Sequence, residues 1–434
     1  LGKFNLMNQT TKIDSLLNKG VKMPLPESVF IAEEVDLSRI SGENVIFYPG
    51  TRIMGRDTLI MRNSTLGLEG PVTLDNVFAG PGSCLNGGFF QRCAFAGNNS
   101  FGSGAHVRGG TILEEGAGAA HTVGLKQTIL FPFVTLGSLI NFCDCLMAGG
   151  TSRKDHSEVG SSFIHFNYTP NQDKATPSMM GNVYQGVMLK SKPVFLGGQG
   201  GVVGPCRLPF GSVTAAGTIW RKDITEPDRV IFGGGMREMV LERREGVYTN
   251  VRRVLKNNCL YIAGLAALMS WYIHIRPLFV SDISSQQLLL GMQKTLKSAI
   301  DERINRLDDF VLRLSRSREL IISQNGGKDT PLVEDHDTVI RIWPDARVVL
   351  EKSLASGKGT EGALGVIDKF SSALPDPLLT EPPEPFVRAI VNGIRENGYD
   401  YIRVIKSLDP STASMGSSWL ESIENNIVSK VGLP

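Results

Sequence analysis

Written in sixes from Phe95, the chain reads FAGNNS, FGSGAH, VRGGTI, LEEGAG, AAHTVG, LKQTIL, FPFVTL. The first position is Phe95, Phe101, Val107, Leu113, Ala119, Leu125 and Phe131, mostly large and apolar. The fifth is Asn99, Ala105, Thr111, Ala117, Val123, Ile129 and Thr135, mostly smaller. A period of six fits neither a helix nor an alternating strand. It is the pattern of a parallel β-helix made of hexapeptides, whose short strands end at corners and whose first-position side chains stack inside a narrow prism. The frame returns at Leu196, Val202, Leu208 and Thr214, and is looser from residue 29 to 90, where Val29 and Val35, then Ile40 and Ile46, keep it.

Corners call for glycine, asparagine or aspartate, because the backbone there takes positive φ or passes close to the next coil. The glycines follow that demand: 33 of the 48 fall in residues 41–240, and only five in residues 241–350. Two architectures therefore meet near residue 240. Beyond it, Val251, Val254, Leu255, Tyr261, Ile262, Leu265, Leu268, Met269, Tyr272 and Ile275 follow helical spacing, as do Leu289, Met292, Leu296, Ile300, Ile304, Leu307, Val311 and Leu314. The expected layout is an N-terminal segment at 1–26, a β-helix at 27–240, a helical region at 241–323, an irregular proline-rich linker at 324–384, and a helical segment at 385–434. Pro375, Pro377, Pro382, Pro383 and Pro385 mark the linker.

An apolar fraction of 41% excludes wholesale disorder, and a net charge of +2 supplies no global field for nucleic acid or an anionic membrane. The longest apolar run, Cys259 to Ile275, is shorter than the roughly 20 residues a bilayer span needs and contains Ser270 and His274, so it reads as a buried helix. The six cysteines are sparse, as reduced thiols of a cytoplasmic protein are. Cys143 and Cys145 form a C-x-C without a second pair at zinc spacing and read as two thiols on one strand face. No secretory signal is evident, and the chain begins at Leu1, so its start need not be the native one. The glycine-rich run YPGTRIMG at 48–55 has no helical period after it, and reads as a β-helix corner and not as a phosphate loop.

Residues 141–180 break the hexad frame and gather Asp144, Arg153, Lys154, Asp155, His156, Glu158, His165, Asn167, Tyr168, Asp173 and Lys174. A loop thrown out from a rigid solenoid is a common place for a site. His156, flanked by Asp155 and Glu158, is a candidate general base, or else a surface histidine of a charged loop. His165 lies two residues before Asn167, so the two share a face if the segment is a strand.

The segment VGSSFIHFNYTPNQDKATPSMMG, followed by VFLGGQGGVVGPCRLPFGSVTAAGTIWRKDI, resembles the acetyltransferase half of the bifunctional UDP-N-acetylglucosamine pyrophosphorylase/glucosamine-1-phosphate acetyltransferase family. The matching residues are Asn167 and Tyr168, Lys174, the Ala215–Ala216–Gly217–Thr218 coil and the Lys222–Asp223–Ile224 exit. The fold this implies is mainly β, a left-handed parallel β-helix of hexapeptide repeats, here followed by an α-helical C-terminal region. The resemblance further implies an acyl-CoA-dependent acyltransferase acting on an amino sugar phosphate or nucleotide-linked amino sugar, working as a homotrimer. Asn167, Tyr168 and Lys174, with Arg153 nearby, would hold the sugar phosphate. The coils around Gly198, Gly200, Ala215 and Ala216 would lie along coenzyme A (acetyl-CoA or another acyl-CoA), with Arg221 and Lys222 toward its phosphates. Two departures stand out. The family's catalytic histidine position falls on Asp144, so His156 or His165 would have to act as base. No nucleotidyltransferase machinery is read in these residues. The alternative is a non-catalytic β-helix, a scaffold or sugar-nucleotide-binding protein that recruits partners through its helical region.

Overall fold

The computed structural model describes residues 6–167, 169–233, 240, 242–326, 328–355 and 380–433. Residues 30–231 wind into a parallel β-solenoid of about eleven turns with three faces. Face one is a ten-stranded sheet running from Ile46–Phe47 to Val230–Ile231. Faces two and three belong to one sixteen-stranded sheet, because Gly124–Leu130 and Asn141–Met147 continue through the corner between them.

The hexad frame is the packing frame. Every first-position residue from Phe95 to Phe131 is buried. Three hexads close one turn, so that Ser100 pairs with Gly118 and Phe101 with Ala119. On face two the inward column runs Ile53, Leu74, Phe90, Val107, Leu125, Phe142, His165 and Val202, all buried. The corner from face two to face three is a column of left-handed residues: Gly55, Asn76, Arg92, Gly110, Gln127 and Asp144 have φ of 81, 53, 47, 74, 52 and 61°. At Gly110 a Cβ would also lie 2.4 Å from the end of the Gln127 side chain, which would have to move aside.

Two turns are longer than the rest: Thr135 pairs with Glu158, and Glu158 with Phe195. The first carries the antiparallel hairpin Gly150–Ser152/Asp155–His156 at the corner from face three to face one. The second makes two excursions, residues 167–177 between faces two and three and residues 181–194 between faces three and one.

Helix α1 (Leu6–Lys19) closes the first coil: Lys12 donates to the carbonyls of Ala32 and Glu33, and Gln9 donates to that of Val29. These bonds occupy backbone groups at the open end of the stack. The second excursion carries α2 (Val183–Gly186). After the solenoid come α3 (Val251–His274), α4 (Ile283–Gln324), α5 (Pro331–Ala355), α6 (Glu384–Asn397), α7 (Tyr401–Ser407) and α8 (Pro410–Val431). α4 starts with a reciprocal cap between Asp282 and Ser285 and lies along face three. From its start toward its end, Gly291 packs on Phe78, Arg303 pairs with Asp144, and Arg313 donates to the Asn171 carbonyl. Phe78 and Asp144 are four turns apart, about 19 Å at ~4.8 Å per strand. The twelve residues from Gly291 to Arg303 cover about 18 Å of helix, so α4 runs parallel to the solenoid axis.

The apolar run Cys259–Ile275 lies in and just after α3, buried between solenoid and bundle, as the sequence predicts. No described helix is long and apolar enough to cross a membrane. Residues 331–355, expected to be irregular, form α5 instead. Pro331 sits at its start, where a missing amide costs little, and Val333, Val339, Trp343, Ala346 and Leu350 are buried at helical spacing. Pro385 likewise falls in the first turn of α6, whereas Pro375 and Pro377 lie outside the described residues. Cys143 and Cys145 do not share a face, because Asp144 between them turns the corner at φ 61°. No described group of His, Cys, Asp and Glu residues has the makings of a metal site.

Candidate functional site

The corner between faces two and three brings together Asp144, Asn167 and Lys174 of the polar residues singled out in the sequence. Asp144 turns its carboxylate toward α4: Oδ1 pairs with Arg303 at 2.9 Å, the two side chains 3% and 2% exposed, and Oδ2 accepts from Asn167 Nδ2 at 2.9 Å. Arg303 also donates to the Lys174 carbonyl at 3.1 Å, tying the first excursion to the helix. An ionised carboxylate so deep in the molecule is tolerable only because of this pairing.

His165 faces the interior of the prism, whereas Asn167, two residues on, turns with the corner. Its Nδ1 lies 2.6 Å from the Cys143 carbonyl and its Nε2 2.7 Å from Ser178 Oγ. A carbonyl only accepts, so Nδ1 carries the proton and the Ser178 hydroxyl donates to Nε2, while accepting from the Cys206 amide at 3.0 Å. Burial pushes the imidazole down to about 4, the Asp144 charge opposing only in part. His165 is a neutral, fully bonded core residue.

His156 sits elsewhere. It is on the hairpin at the corner from face three to face one, its Nε2 4.0 Å from Glu158 Oε2 and its Nδ1 buried without a partner among the described residues. Face three separates it from Asn167 and Lys174. Arg153, on the same hairpin, donates to the Gly116 carbonyl at 2.7 Å and lines a cavity of about 380 Å³ with Asn98, Ser100, Glu115, Phe133 and Ile402.

Gly198, Gly200, Ala215 and Ala216 lie at the third corner, from face one to face two. Coil stacking already accounts for the glycines there: a Cβ on Gly198 would lie 2.8 Å from the Ser161 carbonyl oxygen, and one on Gly200 2.8 Å from that of Thr218. Arg221 and Lys222 are exposed at the Asn167 corner, further along the solenoid, and the Lys222 carbonyl accepts from Trp220 Nε1 at 2.6 Å. Tyr168 lies outside the described residues.

Compared with protein-family models and with curated proteins, the chain finds no match. The corner has to be read from its own chemistry.

That chemistry includes two residues the motif reading missed. Arg108 and Lys126 occupy the outward position just after the inward Val107 and Leu125, and Cys143 follows them on the next turn. Burial and the neighbouring Asp144 push the Cys143 thiol up, while Arg108, Lys126 and Lys174 act on it in the opposite sense. Three cations thus lie near enough to the outward Cys143 to act on its thiol. Lys126 is only loosely engaged, 3.9 Å from Glu302. The signal was present in the sequence, since a basic residue directly after a first-position apolar residue, repeated eighteen residues later, stacks into an outward basic ladder. The arrangement suits an anion with hydrogen-bonding neighbours. Asp144 and His165 beside it are both committed to structural bonds.

Proposed function

We propose that this chain binds a sugar phosphate or nucleotide sugar at the corner formed by Arg108, Lys126, Lys174 and Asn167, and that it does so without transferring an acyl group. The observation that carries this reading is the buried Asp144–Arg303 pair. The acid that stands where a base is expected is neutralised by a guanidinium and shielded by α4, and a base must reach the proton it abstracts. Cations around the rim supply the charge complementarity that phosphate recognition needs. The helical bundle along face three then serves as the part that meets partners.

The test is calorimetric titration of the full chain with UDP-N-acetylglucosamine and with glucosamine 1-phosphate. Saturable binding is expected, weakened at least tenfold in Lys126→Ala and in Lys174→Ala and falling with added salt. Absence of binding by both compounds overturns the reading.

A second reading is favoured by His156, whose Nε2 is only loosely engaged, 4.0 Å from Glu158 Oε2, and which sits on the hairpin at the corner from face three to face one. In a homotrimer, the hairpin of one copy would present His156 as general base to the Asn167 corner of another. Acetyl-CoA, lying along the Gly198, Gly200, Ala215 and Ala216 corner, would then acetylate an amino sugar. Release of free thiol from acetyl-CoA with glucosamine 1-phosphate, abolished by His156→Ala, establishes this reading; no turnover leaves the binding function.

A further inference from the structure

Behind the first excursion lies a second pocket, an open cleft of about 240 Å³ lined by residues of the 169–176 segment, Gly204 and Pro205, the start of α3, and Phe310 of α4. Its walls are held firmly. Asn171 accepts from the Gly246 amide at 3.2 Å and its carbonyl accepts from Arg313 at 2.6 Å. Tyr248 packs edge-on against Phe310 with ring centroids 5.4 Å apart.

The polar lining is of two opposite kinds. On one side is Asp173, 5% exposed, which accepts from the Thr169 hydroxyl and makes no other hydrogen bond among the described residues. On the other side α3 begins without a cap: Asn250 gives no side-chain oxygen to the first turn, and the amides of the lining residues Val251 and Arg253 find no acceptor among the described residues. Those amides form the positive end of a 24-residue helix. Thr176, 2% exposed, also lines the cavity, and its Oγ1 is buried with no partner among the described residues. Arg253 adds little net charge, because its guanidinium is engaged by Asp223 at 3.1 Å and by the Pro205 carbonyl at 2.7 Å.

A plain anion drawn to the α3 amides would meet Asp173, and a plain cation drawn to Asp173 would meet the positive helix end. A molecule with one charge of each sign satisfies both. Val247, Val251, Val254, Pro205 and Phe310 provide an apolar wall between them. We propose that this cavity binds a small α-amino acid with an apolar side chain, its carboxylate on the α3 amides and its ammonium on Asp173. The site is separate from the basic corner and stands whether or not that corner binds nucleotide sugars.

Titration calorimetry on the full chain with L-leucine, L-valine, L-methionine and L-phenylalanine tests it. At least one should give saturable heat. N-acetyl-L-leucine, which lacks the ammonium, and L-leucinamide, which lacks the carboxylate, should bind at least tenfold more weakly than L-leucine. Asp173→Asn should weaken binding at least tenfold. Val254→Trp, which fills the cavity, should abolish it while leaving UDP-N-acetylglucosamine binding and the circular dichroism spectrum as in the parent. No saturable heat from any of the four amino acids, binding unchanged in Val254→Trp, or inorganic phosphate binding there as tightly in Asp173→Asn as in the parent, overturns the proposal.

Discussion

Arg303 shows how much one side chain can hold. It leaves α4 to neutralise Asp144 and to bind the excursion backbone at Lys174, with 1% of its surface exposed. Removing one partner of a buried pair strands the other charge, at a cost of about 3–5 kcal/mol. Arg303→Met should therefore lower the urea midpoint strongly, whereas the double variant Arg303→Met with Asp144→Leu should recover much of the loss. Two buried titratable groups give opposite pH signatures. His165 is held down to about 4 against an ordinary 6.5, so its neutral form is favoured in the fold. That contribution is complete above about pH 6.5 and is lost as pH falls to about 4, roughly 3 kcal/mol for this shift. Glu424 is pushed up to about 8 by burial and by the nearby Glu421. Its favoured form is the neutral acid, so stability is complete below about pH 4.5 and is lost as pH rises toward 8. Melting curves of Glu424→Gln should rise above the parent at pH 8 and match it near pH 4.5. An unchanged midpoint at pH 8 would refute the assignment.

At the level of elements, the strands were legible and the closure of the site was not. The inward column can be read from Phe101, Val107 or Leu125 because a solenoid repeats locally, and each turn faces the same constraints as the one before. Asp144 reads as part of a stretch outside the hexad frame, although Asn141–Met147 still stacks on Gly124–Leu130. Its partner could not be read either, since Arg303 arrives from a helix more than 150 residues later and no period links the two. Proline misled as well: Pro385 reads as a breaker with the other linker prolines, whereas it lies in the first turn of α6. α4 itself supplies a prediction. Glycine in a helix interior is ordinarily improved by alanine, by about 1 kcal/mol. At Gly291, however, a Cβ would lie 2.2 Å from the buried Phe78 ring. Gly291→Ala should destabilise the chain by about 1–3 kcal/mol in urea denaturation, and Phe78→Leu should relieve part of that loss.

Over the whole molecule, the bundle changes how a solenoid should open. A bare stack is nearly one-dimensional and unravels coil by coil from its ends. Here α4 bridges the coils from Asp57, which pairs with Lys294, to Asn171, which accepts from Arg313. Hydrogen exchange should therefore show the strands from Leu59–Ile60 to Ser178–Met180 opening together, and Val213–Thr214 and Val230–Ile231 opening earlier. Uniform exchange along the solenoid would contradict that coupling.

The parallel course of α4 and the coils also makes the helix a ruler with a phase. One coil advances about 4.8 Å, or roughly 3.2 helical residues, which is some 40° short of a full helical turn. Gaining or losing a coil beneath α4 cannot be matched by any whole number of helical turns. Such an event would rotate everything beyond it, and Arg303 would swing away from Asp144. Coil number is thus locked wherever the helix lies, and free to vary only beyond its ends. Length within the locked span can change only by looping out at corners, as the hairpin and the two excursions do.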